Sequence, residues 1–327
     1  MDSAHPRKRA YIGVVVSLLL WAVAIGAFFQ RQAIYDWWRL RDYDPPAEII
    51  RLATDTTMND GARRLFYVYH PRVEPKEDFN KHCRNGEFTI VLGCYVHNRG
   101  IYLFEVTDER LQGVKEVTAA HELLHAAYDR LSVKERQQVD QWTEAAFASL
   151  DNQRIKDTIA QYRDNDPKSV PHELHSILGT EVADLPVELE QYYARYFTNR
   201  AKIVAYSEAY EAAFSSRQAQ AKALEAELES LRQQVEALNK ELDAESRTLQ
   251  SQYQALEQDR GSADPESFNA RVNSYNAAVR AYNQKVARTS GLIDRYNGLY
   301  EEYQAVVLEQ QDLYKLIDSR PEALQAQ

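Results

Sequence analysis

Segment 121–125, His-Glu-Leu-Leu-His, carries the residue types that bind and use a catalytic zinc ion. On a helix, His121 and His125 lie one turn apart and project from the same face, so both imidazoles can bind one Zn²⁺. Glu122 lies beside them and is placed to take a proton from a water molecule at the metal. Unrelated proteins contain this short pattern by chance, so its surroundings decide how much weight it carries.

The residues around the motif favour a buried helix. Residues 117–128 include four alanines and two leucines, and the motif supplies their only charge. No proline interrupts the stretch from Val114 to Leu131, so the sequence predicts one helix over it. A surface helix with two accidental histidines would usually carry charges on one face.

Two histidines leave the site incomplete, because catalytic zinc takes three protein ligands and a water molecule. The extended pattern H-E-x-x-H-x-x-G-x-x-H is absent, since Ala-Ala-Tyr-Asp-Arg-Leu-Ser follows His125. A distant acidic residue on another helix is the remaining solution. Here the chain resembles the gluzincin class of zinc metallopeptidases, whose third ligand is a glutamate on a helix downstream of H-E-x-x-H. The resemblance covers about residues 65–200, is specific only at residues 118–127, and lacks the thermolysin-like N-E-x-x-S-D pattern.

The resemblance implies a glutamate ligand, and two residues are candidates. Glu181 is the first choice because it ends a mostly apolar stretch, where an unpaired carboxylate would be costly. Asp184 would then orient a zinc-bound imidazole from outside the ligand shell. Glu190 is the alternative ligand, and a solvated helix glutamate is the competing interpretation of both.

The resemblance also implies hydrolysis of peptide bonds. Zinc would activate a water molecule and polarise the scissile carbonyl, with Glu122 as general base. Enzymes of this class also use a tyrosine, histidine or arginine to hold the developing oxyanion. The sequence does not rank the available residues, which are Tyr192, Tyr193, Arg195, His172 and His175. The two histidines of this set, spaced i, i+3, are also alternative metal ligands.

An apolar run over residues 11–29 predicts a transmembrane signal anchor. At about 1.5 Å per residue it spans roughly 28 Å, close to the thickness of a bilayer core. Basic residues at positions 7–9 precede it, and Trp37 and Trp38 could form an interfacial belt. A cleaved signal peptide is the alternative, but apolar residues continue through Phe29. We expect residues 1–10 in the cytoplasm and the chain after about Gln30 outside the plasma membrane.

The chain has two cysteines, Cys83 and Cys94. Asn85-Gly86 between them is a turn signal, so a hairpin could bring the two thiols together. We expect a disulfide formed in an oxidising compartment, which agrees with an extracytoplasmic location. Two unpaired, partly buried thiols are the alternative.

The sequence predicts an α+β fold that is mostly helical, with a small zincin-like sheet beside the motif helix. Leu65–Tyr69, Phe88–Leu92 and Ile101–Val106 read as strands, one of which could hold a peptide substrate by backbone pairing. Helices are expected over residues 132–150, where Ser132 and Glu135 form a capping box, and over residues 151–163 and 171–182. From Val187 the pattern is helical and long.

A heptad pattern fills the last third of the chain. One set runs from Leu224 to Leu256, and a second runs from Phe268 to Ile317. Residues 260–265 form a turn between them, so we expect an antiparallel coiled-coil hairpin, with pairing between chains as the alternative. Tyrosines at the heptad positions are read as packing residues rather than as a binding platform.

Together these features predict a membrane-anchored zinc metallopeptidase. Its parts would be a juxtamembrane segment at residues 30–46, a catalytic domain at 47–200, a coiled-coil hairpin at 201–320 and a tail at 321–327. Its expected partners are a peptide or protein substrate, the membrane, and a protein or second copy bound by the coiled coil. A net charge of −10 argues against nucleic-acid binding. The alternative function is a membrane-tethered coiled-coil scaffold with an inactive peptidase-like domain.

Overall fold

The structure is a computed structural model that describes residues 5–83, 90–261 and 263–320, with side chains described from residue 15 onwards. The described residues are mostly helical, with one small sheet. They form two units. The first contains the chain up to Glu211 together with residues from Leu316, and the second contains Ala212–Lys315.

Four helices begin the first unit: α1 (His5–Phe29), α2 (Arg31–Leu40), α3 (Ala47–Asp55) and α4 (Asp60–Val68). Asn59 begins α4 by accepting a hydrogen bond from the backbone N–H of Ala62. The strand predicted at Leu65–Tyr69 is therefore wrong. Its β-favouring aromatic residues lie on an amphipathic helix that buries Leu65, Phe66 and Val68 in the core.

No single helix among residues with described side chains is long and apolar enough to cross a bilayer. The segments Val15–Phe29 and Arg31–Leu40 meet that criterion only as a pair, which is bent by 69°.

The sheet has three strands, β1 (Arg72–Glu74), β2 (Gly93–Val96) and β3 (Gly100–Phe104), in the order β1-β3-β2. Strand β1 runs parallel to β3 and β2 runs antiparallel to it. The prediction of Ile101–Val106 as a strand is confirmed within two residues. The strand predicted at Phe88–Leu92 begins outside the described residues; β2 itself begins at Gly93, and Leu92 only accepts a hydrogen bond from the backbone N–H of Phe104 in β3.

The predicted disulfide between Cys83 and Cys94 is present. It joins the residue after α5 (Lys76–His82) to strand β2. The predicted turn at Asn85-Gly86 lies outside the described residues. The bond therefore ties the outer strand of the sheet to a neighbouring helix.

Helix α6 (Val114–Asp129) carries the H-E-x-x-H motif, as predicted, and is the centre of the first unit. Its alanines and leucines are buried between β2 and β3 on one side and α9 (Val170–Glu181) on another. A Cβ atom at Gly179 of α9 would clash with Leu124 and lie 2.8 Å from the Tyr193 ring. The missing side chain lets α9 approach α6 closely.

The remaining helices of this region are α7 (Val133–Ser149), α8 (Gln153–Asn165) and α10 (Val187–Tyr193). The capping box of Ser132 and Glu135 is present at the start of α7. The expectation of a continuous helix from Val187 is wrong, because α10 ends at Tyr193 and the next helix begins at Arg200. In the break, the backbone N–H of Asn59 donates to the carbonyl of Tyr196.

Two long helices, α11 (Arg200–Gln258) and α12 (Pro265–Ile317), provide the second unit. Ion pairs between Lys285 and Glu241, and between Arg217 and Glu309, show that the helices lie side by side and antiparallel within that unit. Apolar side chains of both helices are buried there, including Leu228 and Val306. Coiled-coil packing of the two helices stays a prediction.

Candidate metal centre

Helix α6 presents His121 and His125 together on one face. Their ring centroids are 4.7 Å apart, and both side chains are largely buried. The two rings lie at a pocket of about 910 Å³, which is lined by residues of α6, α8, α9 and the β2 region. Ligand atoms of His121, Glu122 and His125 lie within 4.8 Å of one another, as a shared cation would require.

A second acidic side chain faces both histidines, and it belongs to Glu173 in the first turn of α9. Glu173 Oε2 lies 3.5 Å from His121 Nε2, and Glu173 Oε1 lies 3.6 Å from His125 Nε2. The side chain of Glu173 is 13% exposed. The two nitrogens and the carboxylate therefore surround one point, and this donor set suits a catalytic zinc ion.

The pKa values of the two histidines shift in opposite directions, because burial and the charge of Glu173 balance differently at each ring. Burial opposes a charge on His121, but the hydrogen bond and negative charge of Glu173 outweigh burial and raise the pKa to about 9. Burial lowers the pKa of His125 to about 3, which keeps its ring neutral. Burial also opposes ionisation of Glu173, but His125 and His121 bring its pKa below the usual value.

Glu122 is buried beside the histidines with one oxygen free. It is 4% exposed, and its Oε2 has no hydrogen-bond partner among the described residues. Burial raises its pKa to about 7, although the charge of His121 and the backbone N–H of Tyr95 favour the ionised form. A carboxylate with this pKa can both accept and return a proton near neutral pH.

Strand β2 fixes the position of Glu122. Tyr95 of β2 donates its backbone N–H to the carboxylate. A Cβ atom at Gly93, two residues earlier, would lie 2.8 Å from Glu122 Oε1 and 2.5 Å from Thr118 Cγ2. Only glycine lets the strand run this close to α6, so the strand and the carboxylate are packed against each other.

The two glutamates predicted from the sequence have other partners. Glu181 lines the same pocket, but its Oε2 lies 2.6 Å from Arg154 Nη2. It stands eight residues after Glu173 on α9, about 12 Å farther along the helix axis. Glu190 accepts a hydrogen bond of 3.0 Å from Arg200 Nε. In this geometry Glu173 replaces Glu181 as the candidate third ligand.

The predicted orienting residue, Asp184, is exposed beyond the end of α9. Ser176 takes the expected place instead, because its Oγ lies 3.2 Å from His125 Nδ1. A bond at Nδ1 leaves Nε2 of His125 directed to the shared point near Glu173.

Most of the residues considered for the oxyanion lie outside the pocket. Tyr193 is fully buried and donates its hydroxyl to the carbonyl of His175. Arg195 lies over the Tyr192 ring, on the wall of a separate surface groove. His175 is buried and its Nε2 lies 2.8 Å from the Tyr192 hydroxyl.

His172 is the member of that set that lines the pocket. Its ring centroid is 5.8 Å from that of His125, and its Nε2 is 3.6 Å from Asp129 Oδ1. The other carboxylate oxygen of Asp129 lies 2.8 Å from His97 Nδ1. Asp129 therefore holds His97 by a hydrogen bond and faces His172 at one end of the pocket.

The sequence contained a signal for Glu173. It stands in Pro-His-Glu-Leu-His, at the start of the same apolar helix whose far end carries Glu181. The cost of burying an unpaired carboxylate applies equally to both residues. The packing of α9 on α6 distinguishes them.

Comparison of the chain with protein-family models, with curated proteins and with solved structures finds no match.

Proposed function

We propose that the protein is a zinc metallopeptidase in which His121, His125 and Glu173 hold the metal. The observation that carries this proposal is the carboxylate of Glu173 facing both imidazole Nε2 atoms, at 3.5 and 3.6 Å. Two nitrogens and one carboxylate make the ligand set of an open catalytic zinc site. The nearby free oxygen of Glu122 supports hydrolysis rather than a purely structural metal.

The donor chemistry fits zinc. When bound, the ion would lower the pKa of a water molecule and polarise a carbonyl group. Glu173 supplies negative charge that offsets part of the cation's charge in a buried site. Ser176 holds the ring of His125 through Nδ1, which keeps the ligand nitrogen in place.

Glu122 acts as the general base in this proposal. Its free Oε2 takes a proton from water in the pocket and later returns it to the leaving amine. Burial raises its pKa to about 7 without a bound ion, and a zinc ion nearby would favour the ionised form that accepts the proton. The hydrogen bond from Tyr95 keeps the carboxylate aimed during the transfer.

His172 is the best-placed residue to donate a hydrogen bond to the developing oxyanion. It lines the pocket beside His125, and Asp129 faces its Nε2. Burial lowers its pKa, against the charge of Asp129, and this role requires that the ring carry a proton on the nitrogen that faces the pocket. This role replaces those predicted for Tyr193 and Arg195, which do not line the pocket.

Strand β2 offers a binding edge for a peptide substrate. It is the last strand in the sheet order, and its residues Gly93–Tyr95 line the pocket. An extended peptide lying along that edge would pass beside Glu122. The substrate class that this arrangement supports is an unfolded or extended polypeptide segment.

We also propose that α1 anchors the protein in a plasma membrane, with the catalytic unit outside the cytoplasm. The disulfide between Cys83 and Cys94 supports an oxidising compartment. Side chains of α1 from Val15 to Phe29 are mainly apolar and exposed, as lipid contact requires. The antiparallel helix pair of the second unit would serve as a coiled coil for a protein partner.

The Glu122→Gln variant of the full chain, in detergent or vesicles, separates a peptidase from an inactive scaffold. The readouts are bound zinc and hydrolysis of a pooled library of internally quenched peptides. We expect unchanged zinc and a loss of hydrolysis by roughly 10²–10⁴-fold, the usual effect of losing a general base. The control is Glu181→Gln, which alters another carboxylate of the same pocket.

Two results would contradict the peptidase proposal. Zinc-loaded wild type that cleaves no peptide in the library would favour the scaffold. Loss of zinc in Glu122→Gln would make Glu122 a ligand, and the base would then have to be another residue.

A further inference from the structure

Helix α2 (Arg31–Leu40) has two faces with different environments. One face is half-buried against the rest of the first unit and consists of Tyr35, Asp36, Arg39 and Leu40. The opposite face carries large apolar side chains that remain exposed.

The half-buried face is held by a set of directed contacts. Asp36 accepts two hydrogen bonds of 2.7 Å from the guanidinium of Arg130. Arg39 donates to the backbone carbonyls of Val68 and Arg99, at 2.9 and 3.1 Å. These bonds reach α4, the turn between β2 and β3, and the residue after α6, so they fix α2 relative to the metal-binding helix.

The exposed face consists of Ile34, Trp37 and Trp38, which follow the i, i+3, i+4 spacing of one helix face. Their exposed fractions are 49%, 61% and 59%. Arg31 and Arg41 extend the same face at its two ends. Tryptophan flanked by arginine is the composition of helices that lie in the interface of an anionic bilayer.

We propose that α2 lies in the lipid headgroup region of a bilayer, with Ile34, Trp37 and Trp38 towards the acyl chains. This proposal rests on the proposed anchoring by α1. The exposed face continues directly from Phe28 and Phe29 at the end of α1, which are 61% and 78% exposed. The two helices are bent by 69°, so an α1 that crosses along the bilayer normal leaves α2 close to the membrane plane.

The contacts of α2 also decide which end of the pocket lies nearest to the membrane. Asp129 precedes Arg130, which binds Asp36 of α2. His97 precedes Asn98 and Arg99, whose carbonyls accept hydrogen bonds from α2. His97 and Asp129 both line the pocket. The end of the pocket formed by His97 and Asp129 is therefore the end nearest to the bilayer in this proposal, and the substrates that fit are membrane-proximal segments of polypeptides.

Tryptophan fluorescence in vesicles tests the position of α2 with the full chain. The four tryptophans are Trp21, Trp37, Trp38 and Trp142. One variant keeps only the α2 pair, through Trp21→Phe and Trp142→Phe. The matched variant keeps only Trp21, through Trp37→Phe, Trp38→Phe and Trp142→Phe. Both are reconstituted with phosphatidylcholine and phosphatidylglycerol brominated either near the headgroup or near the end of the acyl chain.

We expect the α2 pair to be quenched more by the shallow bromines, by roughly twofold, because interfacial helices insert about 5–10 Å. Trp21 should be quenched more by the deep bromines. Quenching of the α2 pair by aqueous iodide alone would overturn the proposal, since α2 would then lie in water. Protection of the pair from both quenchers would also overturn it, because a protein contact would then cover that face. The proposed membrane anchoring by α1 has a separate readout. It would be contradicted only if no bromolipid quenches the fluorescence of Trp21.

Discussion

At the scale of a single residue, Gly93 controls the position of Glu122, the proposed general base. A methyl group there would lie 2.8 Å from Glu122 Oε1 and 2.5 Å from Thr118 Cγ2, so either the strand or the carboxylate must move. The three atoms nearest to this methyl group belong to Thr118 and Glu122, and none belongs to Glu173 or the histidines. The proton-transfer step and the metal site can therefore be perturbed separately.

The Gly93→Ala variant should lose peptide hydrolysis by at least about 10-fold while it keeps its zinc, because a displaced base transfers protons poorly. Hydrolysis and bound zinc are measured on the same preparation. The control is Gly291→Ala on α12, where an added Cβ atom meets nothing within 4 Å. Wild-type hydrolysis by Gly93→Ala would show that β2 does not position Glu122.

At the scale of elements, the sequence was most informative where the determinants are local. Residues 114–131 have helical periodicity without a proline, and Ser132 with Glu135 forms a cap within four residues, so α6 and the start of α7 could be predicted. The helix at Leu65–Tyr69 could not be predicted, because its aromatic residues favour a strand locally, whereas packing against α6 selects a helix. Glu173 could not be chosen over Glu181 because the choice depends on how α9 packs against α6.

Strand β2 depends on the disulfide for its position. Removing the bond with Cys83→Ser and Cys94→Ser together should lower the free energy of unfolding by about 2–3 kcal/mol, as expected for a short closed loop. Hydrolysis should also fall, because Cys94 immediately precedes Tyr95, whose N–H holds Glu122. Denaturant unfolding and peptide hydrolysis measure the two effects.

Dithiothreitol provides the control for this pair of substitutions. It should destabilise the wild type to a similar extent and leave the double serine variant unchanged. Equal stability of the wild type with and without dithiothreitol would contradict a structural role for the bond.

The attachment of α2 depends on Asp36. Asp36→Asn should weaken the paired hydrogen bonds to Arg130, by about 1–3 kcal/mol for this partly buried contact. Trypsin should then cleave faster after Arg41, between α2 and α3. Asp78→Asn is the control, since it removes an exposed carboxylate paired with Lys81, away from the cleaved bond, and should leave the cleavage rate unchanged. An unchanged rate in Asp36→Asn would show that the pair does not hold α2.

At the scale of the whole molecule, the second unit can form from one chain or between chains. The ion pair between Lys285 and Glu241 joins α12 to α11 of the same chain. Cysteines introduced by Glu241→Cys and Lys285→Cys would be the only free thiols in the described part of the chain, because Cys83 and Cys94 are bonded to each other. A short bismaleimide crosslinker should therefore give a monomeric product.

Mass spectrometry and gel mobility distinguish the two pairings. Each single cysteine variant serves as a control that has no partner thiol within the chain. A crosslinked dimer of the double variant at low protein concentration would contradict the hairpin within one chain.

The most direct test of the central claim is the zinc content of the full chain with Glu173→Gln, measured beside Glu181→Gln. Both substitutions remove one carboxylate from the same face of α9 and the same pocket. The proposed site predicts about one zinc per chain in the wild type and in Glu181→Gln, and a strong loss in Glu173→Gln. Retention of zinc by Glu173→Gln with loss from Glu181→Gln would contradict the site, and absence of zinc from the reconstituted wild type would contradict the metallopeptidase itself.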